Sequence, residues 1–310
     1  MRIAITGSSG LIGSALVRHL RGHGHAVTRV VRSKSVKTGD AVYWDPATAE
    51  VDAAKLEGHD VVIHLSGESI ASGRWTRARK AAIRNSRLRG TGLLSRALAQ
   101  LERRPRVLLS ASAIGIYGNR PPDEPVDEDS PPGTGWLAEL AVAWEAATAP
   151  AAEAGIRVVH MRFGVVLDPA GGMLQRMLPI FRLGLGGRLG SGRQVLSWIA
   201  LDEIPRAVTH VIETESLAGP VNFVAPNPVD NAEFTRRLAR VLGRPAHFPV
   251  PAAVLRLVFG EMAEEAILAG QRALPRRLLE SGYGFAWPEL DEALRHQLGR
   301  DRGKATEPAV

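Results

Sequence analysis

A chain of 310 residues is long enough for one large α/β domain or two modest ones around a sizeable core. Hydrophobic residues at 45% and charged residues at 23% exclude a mostly disordered or fibrous protein, and zero cysteines exclude disulfides, a thiolate nucleophile, iron–sulfur clusters and cysteine-ligated zinc. The net charge of +7 arises locally: eleven basic residues face one acid, Glu102, between Ala71 and Arg106. Without aromatic interleaving or a nucleic-acid motif, this stretch reads as a solvated helix face, and nucleic acid is not the expected partner.

The chain opens on a strand at residues 3–6 that runs straight into Gly7-Ser8-Ser9-Gly10-Leu11-Ile12-Gly13. Leu11, Ile12, Ala15, Leu16 and Leu20 follow at helical spacing, and Gly22 and Gly24 supply a stop. Strand, glycine turn and helix together form a phosphate cradle. Gly7 permits the turn, Gly10 lets backbone approach a pyrophosphate, and Gly13 lets helix pack on strand, with the phosphate facing the helix N–H groups.

The next strand, 26–31, decides which dinucleotide fits. An acid about 20 residues beyond the motif would accept from a ribose 2′-hydroxyl. Here Val31 is followed by Arg32, Ser33 and Lys34, and a guanidinium with a hydroxyl suits a phosphate. The reading is NADP(H), with Arg32 as a plain surface residue the alternative.

Further strands are expected at 61–65, 106–110 and 156–161, alternating with helices such as 80–101. That alternation predicts βαβ units and a parallel sheet. Leu65, Ser66, Gly67 and Glu68 follow the strand 61–65 at its carboxyl end, where a cofactor crosses an open α/β sheet, and Ser110 ends the following strand. Arg87 and Arg162 are candidates to sit near phosphates, against the plainer reading of surface salt bridges.

After about residue 163 the texture changes: a Gly-rich loop at 184–192, a strand at 195–199, a helix at 202–213 and a strand at 221–224, then a mainly helical remainder. The expected organisation is a Rossmann-type doubly wound parallel sheet over 1–163, with 193–224 returning to it. A smaller, mainly helical substrate lobe follows from 164–192 and 225–298, with a flexible tail at 299–310. His19, His23 and His25 cluster without a metal-binding pattern, so no metal is expected. No window is long and apolar enough to span a membrane and no charged leader opens the chain, so a cytoplasmic location is expected.

The segments TGSSGLIG (6–13), HLSGE (64–68), SASAIGIYG (110–118) and WIALDEI (198–204) resemble extended short-chain dehydrogenase/reductases, nucleotide-sugar epimerases in particular. More narrowly, GESIASGRW (67–75), NSRLRGT (85–91), LAELAVAWEAA (137–147), RFGVVL (162–167) and the run 259–290 resemble the atypical "epimerase family" proteins, which carry an added carboxy-terminal domain of unknown function. The resemblance implies NADP(H) binding and a small-molecule substrate, with nucleotide-linked compounds one class, and leaves the reaction and oligomeric state open.

One departure from the parent superfamily stands out. Its Tyr-x-x-x-Lys pair lowers a tyrosine pKa and exchanges the substrate proton, yet alignment on Glu145 places Leu137 and Ala141 there. The resemblance then leaves Ser112 as a carbonyl-polarising donor, its register open by one residue because Ala113 lies four before Tyr117. Tyr117 and Glu139 remain as candidate acids or bases, each with a structural alternative. Trp198 and Asp202 resemble a loop that closes on substrate. Two functions follow: an NADP(H)-dependent oxidoreductase or epimerase-like enzyme, or a non-catalytic NADP(H)-binding sensor or scaffold.

Overall fold

The structure, a computed structural model, describes residues 1–32 and 41–300. Ser33, Lys34 and residues 301–310 of the expected tail lie outside the described residues.

Eight strands form one sheet: β1 (Arg2–Thr6), β2 (Ala26–Val31), β3 (Ala41–Asp45), β4 (Glu50–Val51), β5 (Val61–His64), β6 (Val107–Ala113), β7 (Arg157–Phe163) and β8 (Gly219–Phe223). Their order is β8-β7-β6-β5-β1-β2-β3-β4. All neighbours are parallel except the β3–β4 hairpin. Because β1 connects forward to β2 on one side and lies against β5 on the other, the order reverses there, which opens a crevice at the strands' carboxyl ends. β5, VVIH, is buried throughout, as expected of a parallel strand covered on both faces. Pro220 lacks an N–H but sits in β8, an edge strand, where no second ladder needs it.

Side-chain alternation divides the strands between two cores. Ile3, Ile5, Val61, Ile63, Val107 and Leu109 point to one face, under helices α1 (Leu11–Gly22) and α6 (Glu203–Glu213). Ala4, Val62, Leu108 and Val158 point to the other, against Leu94 and Leu98 of α2 (Arg77–Ala99). Thr76 caps α2 by accepting from Arg79 N, so the helix starts three residues before the expected 80. Helices α3 (Trp136–Ala146) and α4 (Ala149–Glu153) lead into β7.

A third core joins α5 (Gly172–Arg182), α7 (Asn231–Leu242) and α10 (Leu290–Gln297) around Trp198. The segment 193–224 divides between layers: residues 198–200 pair with 165–167 and 195–196 with 229–230, while α6 and β8 pack on the large sheet. The last stretch, with α8 (Ala252–Phe259) and α9 (Arg276–Glu280), crosses back onto the core, where residues 272–273 pair with 125–126. No helix among the described residues is long and apolar enough to cross a membrane.

Candidate functional site

Backbone clearance fixes the glycine turn between β1 and α1. A Cβ on Gly13 would lie 2.2 Å from the Gly7 carbonyl oxygen, so helix and strand meet only because that position is glycine. Gly7 adopts φ +67° and lies against Leu65 and Ser66, where a Cβ would stand 3.0 Å from their backbone. Gly10 precedes α1 with no side-chain cap, leaving the first-turn N–H groups without a partner from a capping side chain. Ser8 is buried and accepts from Arg29 Nε at 3.0 Å.

This turn borders a cavity of about 500 Å³ at the β1/β5 crevice. Its walls are Gly7–Gly10, the end of β2 with Val31 and Arg32, the end of β3 with Trp44 and Asp45, the loop Leu65–Glu68, and Asn85, Ser86 and Arg89 of α2. Gly7, Ser8, Ser9, Gly10, Val31, Arg32, Leu65, Ser66, Gly67 and Glu68, named from sequence, thus meet in one place. Leu11, Ile12 and Gly13 stand behind them in the first turn of α1. Trp44, Asp45, Asn85 and Arg89 were missed. The strand AVYWD carried a readable alternation at 41–45; which face of α2 would turn to the crevice carried none.

The loop 65–68 is held from below. Thr6 Oγ1 accepts from Leu65 N and Ser66 N at 3.0 and 3.2 Å, which leaves its own proton for His64 Nδ1 at 2.8 Å. That assigns His64 the neutral tautomer with Nε2–H, which donates to Thr91 Oγ1 at 3.1 Å. Trp144 Nε1 donates to the same hydroxyl at 2.9 Å. Full burial pulls the His64 pKa down to about 4. Glu68 N donates to Ser86 Oγ, and the Glu68 carboxylate pairs with Arg79 at 2.9 Å.

Arg87, expected near a phosphate, is not itself in the cavity lining but lies against Gly67, which is: a Cβ there would stand 3.5 Å from its guanidinium. Its Nη1 donates to the Glu68 and Ile83 carbonyls at 2.9 and 3.3 Å, and its guanidinium stacks 4.8 Å over Trp144. Burial lowers its pKa to about 10, so it stays charged. Ser110 is likewise buried and outside the cavity lining.

A second polar cluster lies beneath the end of β6. Arg162 grips Glu145 through Nε–Oε1 at 2.8 Å and Nη2–Oε2 at 2.9 Å, so this arginine, expected near phosphates, is committed to a buried carboxylate. Burial alone would raise the Glu145 pKa, but the paired guanidinium holds it below the usual carboxylate range. Ser112 Oγ donates to Glu145 Oε1 at 2.6 Å. Tyr117, wholly buried, donates to Asn222 Oδ1 at 2.8 Å and accepts from Arg162 Nη1 at 3.0 Å, and burial pushes its pKa up to about 12.

The positions of the missing Tyr/Lys pair are filled by packing. Leu137 joins a cluster with Trp75, Ile83, Leu140 and Met262, and Ala141 one with Ile114 and Tyr117. Leu137 N donates to Glu265 Oε2 at 3.2 Å, so the carboxy-terminal segment covers the start of α3. Glu139 is exposed on that helix.

The expectation for Trp198 and Asp202 is corrected. Trp198 is 0% exposed in the third core and donates to the Asn227 carbonyl, so it has no face to offer a substrate. Asp202 accepts from His296 at 2.8 Å on the surface. Its neighbour Glu203 is the buried carboxylate, accepting from Tyr283 OH at 2.5 Å and Trp287 N at 2.9 Å. Among the described residues no cluster of three potential metal ligands occurs.

Residues 3–224 match the model of the NAD dependent epimerase/dehydratase family, and residues 250–297 match a domain of unknown function, DUF1731. The chain is 47% identical over 298 residues to epimerase family protein Mb2239 of Mycobacterium bovis, covering 96% of this chain and 98% of that one. It is similar to the crystal structure of human epimerase family protein SDR39U1 (isoform 2) with NADPH, with a TM-score of 0.88 and 36% identity over 96% of this chain and 99% of that one. A nucleoside-diphosphate sugar epimerase from Corynebacterium glutamicum superposes with a TM-score of 0.81 at 35% identity, over 97% of this chain and 59% of that one.

Proposed function

This chain belongs to the NAD dependent epimerase/dehydratase family, and from that premise we propose that it binds NADP(H) in the crevice between β1, β2 and β5 and acts as an oxidoreductase or epimerase-like enzyme on a small polar substrate. The observation that carries this reading is the single cavity joining the glycine turn, Arg32 and the loop 65–68. The residues fit the group: Gly7, Gly10 and Gly13 leave the backbone bare where a pyrophosphate would approach, uncapped N–H groups of α1 favour an anion, and a cation ends β2. A relative solved with NADPH supports NADP(H), and one described as a nucleoside-diphosphate sugar epimerase supports trying nucleotide sugars as substrates.

NADP(H), when bound, supplies a transferable hydride. The chain's own part is to place it. Thr6 fixes the Leu65 and Ser66 amides, which form one wall of the crevice. Glu68, held by Arg79, is the carboxylate the lining offers for proton exchange on the loop side. Ser112 reaches a substrate carbonyl only by turning its hydroxyl proton away from Glu145.

Calorimetric titration with NADPH, NADP⁺ and NADH tests the cofactor, and Arg32→Asp is expected to abolish the preference for the phosphorylated forms. A panel of carbonyl compounds and nucleotide sugars followed at 340 nm, with Gly10→Val as control, tests turnover. The apolar filling at Leu137 and Ala141 favours a second reading, a non-catalytic NADP(H)-binding sensor or scaffold. Tight binding with no turnover on any panel member would support it, and clear turnover ends it.

A further inference from the structure

We propose that Arg89 of α2 and Arg32, just after β2, act together as an anion clamp, and that this pair, rather than Arg32 alone, selects the 2′-phosphate of NADP(H). The inference deepens the cofactor reading above and rests on it.

Arg32 and Arg89 come from different elements, 57 positions apart in the chain (89 − 32), and line the same cavity with the Trp44–Ala47 turn beside them. A close approach brings them there. A Cβ on Gly90 would stand 3.1 Å from the Trp44 ring, so the absence of a side chain at 90 lets α2 lie on the β3 end and sets Arg89 over the turn. Positions 85, 86 and 89 share one helix face, which makes Arg89 the continuation of the Asn85–Ser86 wall. Arg89 also borders a second recess of about 370 Å³ with Pro46, Ala47, Leu93 and Arg96.

The charges at this end of the crevice decide the point. Of the other cations of α2, Arg79 pairs with Glu68, Lys80 with Glu261, and Arg87 with two carbonyls and Trp144, while Arg77, Arg84 and Arg96 do not line the crevice. Among the described residues, Arg32 and Arg89 have neither a carboxylate nor a hydrogen-bond partner. Asp45, an acid of the same lining, accepts from Ala47 N and pairs with no cation among the described residues. Among the described residues, Arg32 alone would only balance Asp45. With Arg89 their sum is positive, and a dianion relieves the repulsion between two uncompensated guanidiniums. An exposed arginine with no carboxylate partner is common; two that line one cavity offer an anion two cationic donors there.

The test is calorimetric titration of the whole protein with NADPH, NADH, 2′,5′-ADP and 5′-ADP, on the native chain, Arg89→Met, Arg89→Lys and Arg32→Met. Methionine keeps the apolar stem and, on an exposed helix position, the fold; the thermal midpoint checks this. We expect Arg89→Met to weaken NADPH and 2′,5′-ADP by about tenfold to a hundredfold, the range of a charge-assisted phosphate contact. NADH and 5′-ADP should change by less than about twofold, and Arg89→Lys should recover part of the loss. The native preference for NADPH should also shrink below about pH 6, where the phosphate loses its second charge. Equal losses for NADPH and NADH would mean that Arg89 stacks on the adenine, and unchanged NADPH binding would mean that Arg32 acts alone. Either result overturns the clamp while leaving the cofactor reading intact. Native protein that binds none of the four ligands overturns the cofactor reading itself, and the clamp with it.

Discussion

At the scale of single residues, one polar assembly holds the crevice loop and another lies buried beneath β6. Glu145 belongs to the second, where Arg162, Ser112 and His160 converge on its carboxylate. Glu145→Gln removes the charge that justifies a buried guanidinium. Loss of one partner of such a pair costs about 3–5 kcal/mol. A urea titration that found less than about 1 kcal/mol lost would show the pair to be dispensable. Tyr117→Phe leaves Asn222 Oδ1 without its donor and Arg162 Nη1 with only the Glu128 carbonyl at 3.5 Å, and about 1–3 kcal/mol of destabilisation is expected. The sequence singled out Ser112, Tyr117 and Arg162 as chemistry-bearing, and they do lie together. What it could not supply was Glu145 as the shared partner of Ser112 and Arg162, because a glutamate in a helix reads as solvent-facing until packing turns it inward.

Elements carry the next set of consequences. The α1 entry is built on backbone contact, so Gly13→Ala places a methyl group 2.2 Å from the Gly7 oxygen. Helix or strand must then shift, and dinucleotide binding should fall with it. A Gly13→Ala protein that folds normally and binds NADPH like the native chain would contradict the close-packed turn. At the start of α2, Thr76→Ala removes the cap on Arg79 N and should cost about 1 kcal/mol in a thermal or urea melt. The glycine turn, the helical spacing of α1 and the buried strand 61–64 were legible because each follows a local rule. β3 was passed over, and with it the Trp44–Ala47 wall of the crevice, although its period-2 pattern was present. Trp198 shows the opposite case: an aromatic residue in a family-like motif suggested a substrate contact, and the third core absorbed it.

For the molecule as a whole, the carboxy-terminal stretch is part of the fold. Leu278 and Tyr283 complete the core under α1 and α6, Leu290 and Leu294 that around Trp198, and Met262 the cluster at Leu137. Glu203 accepts from Tyr283 and Trp287, and Glu128 from Asn222 N and Arg277 N. A chain truncated after residue 249 should therefore not fold stably, and the intact protein should melt in one transition by calorimetry. Two separated transitions would show that the stretch folds independently.

Stability should also fall on the acid side. The His64 pKa of about 4 in the fold lies below the ordinary 6.5, so the unfolded chain binds the extra proton between those values. The contribution is complete above about pH 6.5, is lost as the pH falls toward 4, and amounts to about 3 kcal/mol. His64→Gln should flatten the dependence across that window, and an unchanged slope in urea titrations would remove His64 as its source.

The residue string by itself determined the doubly wound sheet, the phosphate turn and the absence of the tyrosine–lysine pair, because strand period, glycine spacing and residue type are local properties of the chain. Only the tertiary structure decided the rest. It brought Arg89 into the crevice lining, stacked Arg87 on Trp144 behind Gly67, buried Glu145 and Glu203, and packed the carboxy-terminal segment over Leu137. Each of these depends on which elements meet across long sequence separations, and there burial and paired charge, rather than propensity, set where a side chain ends.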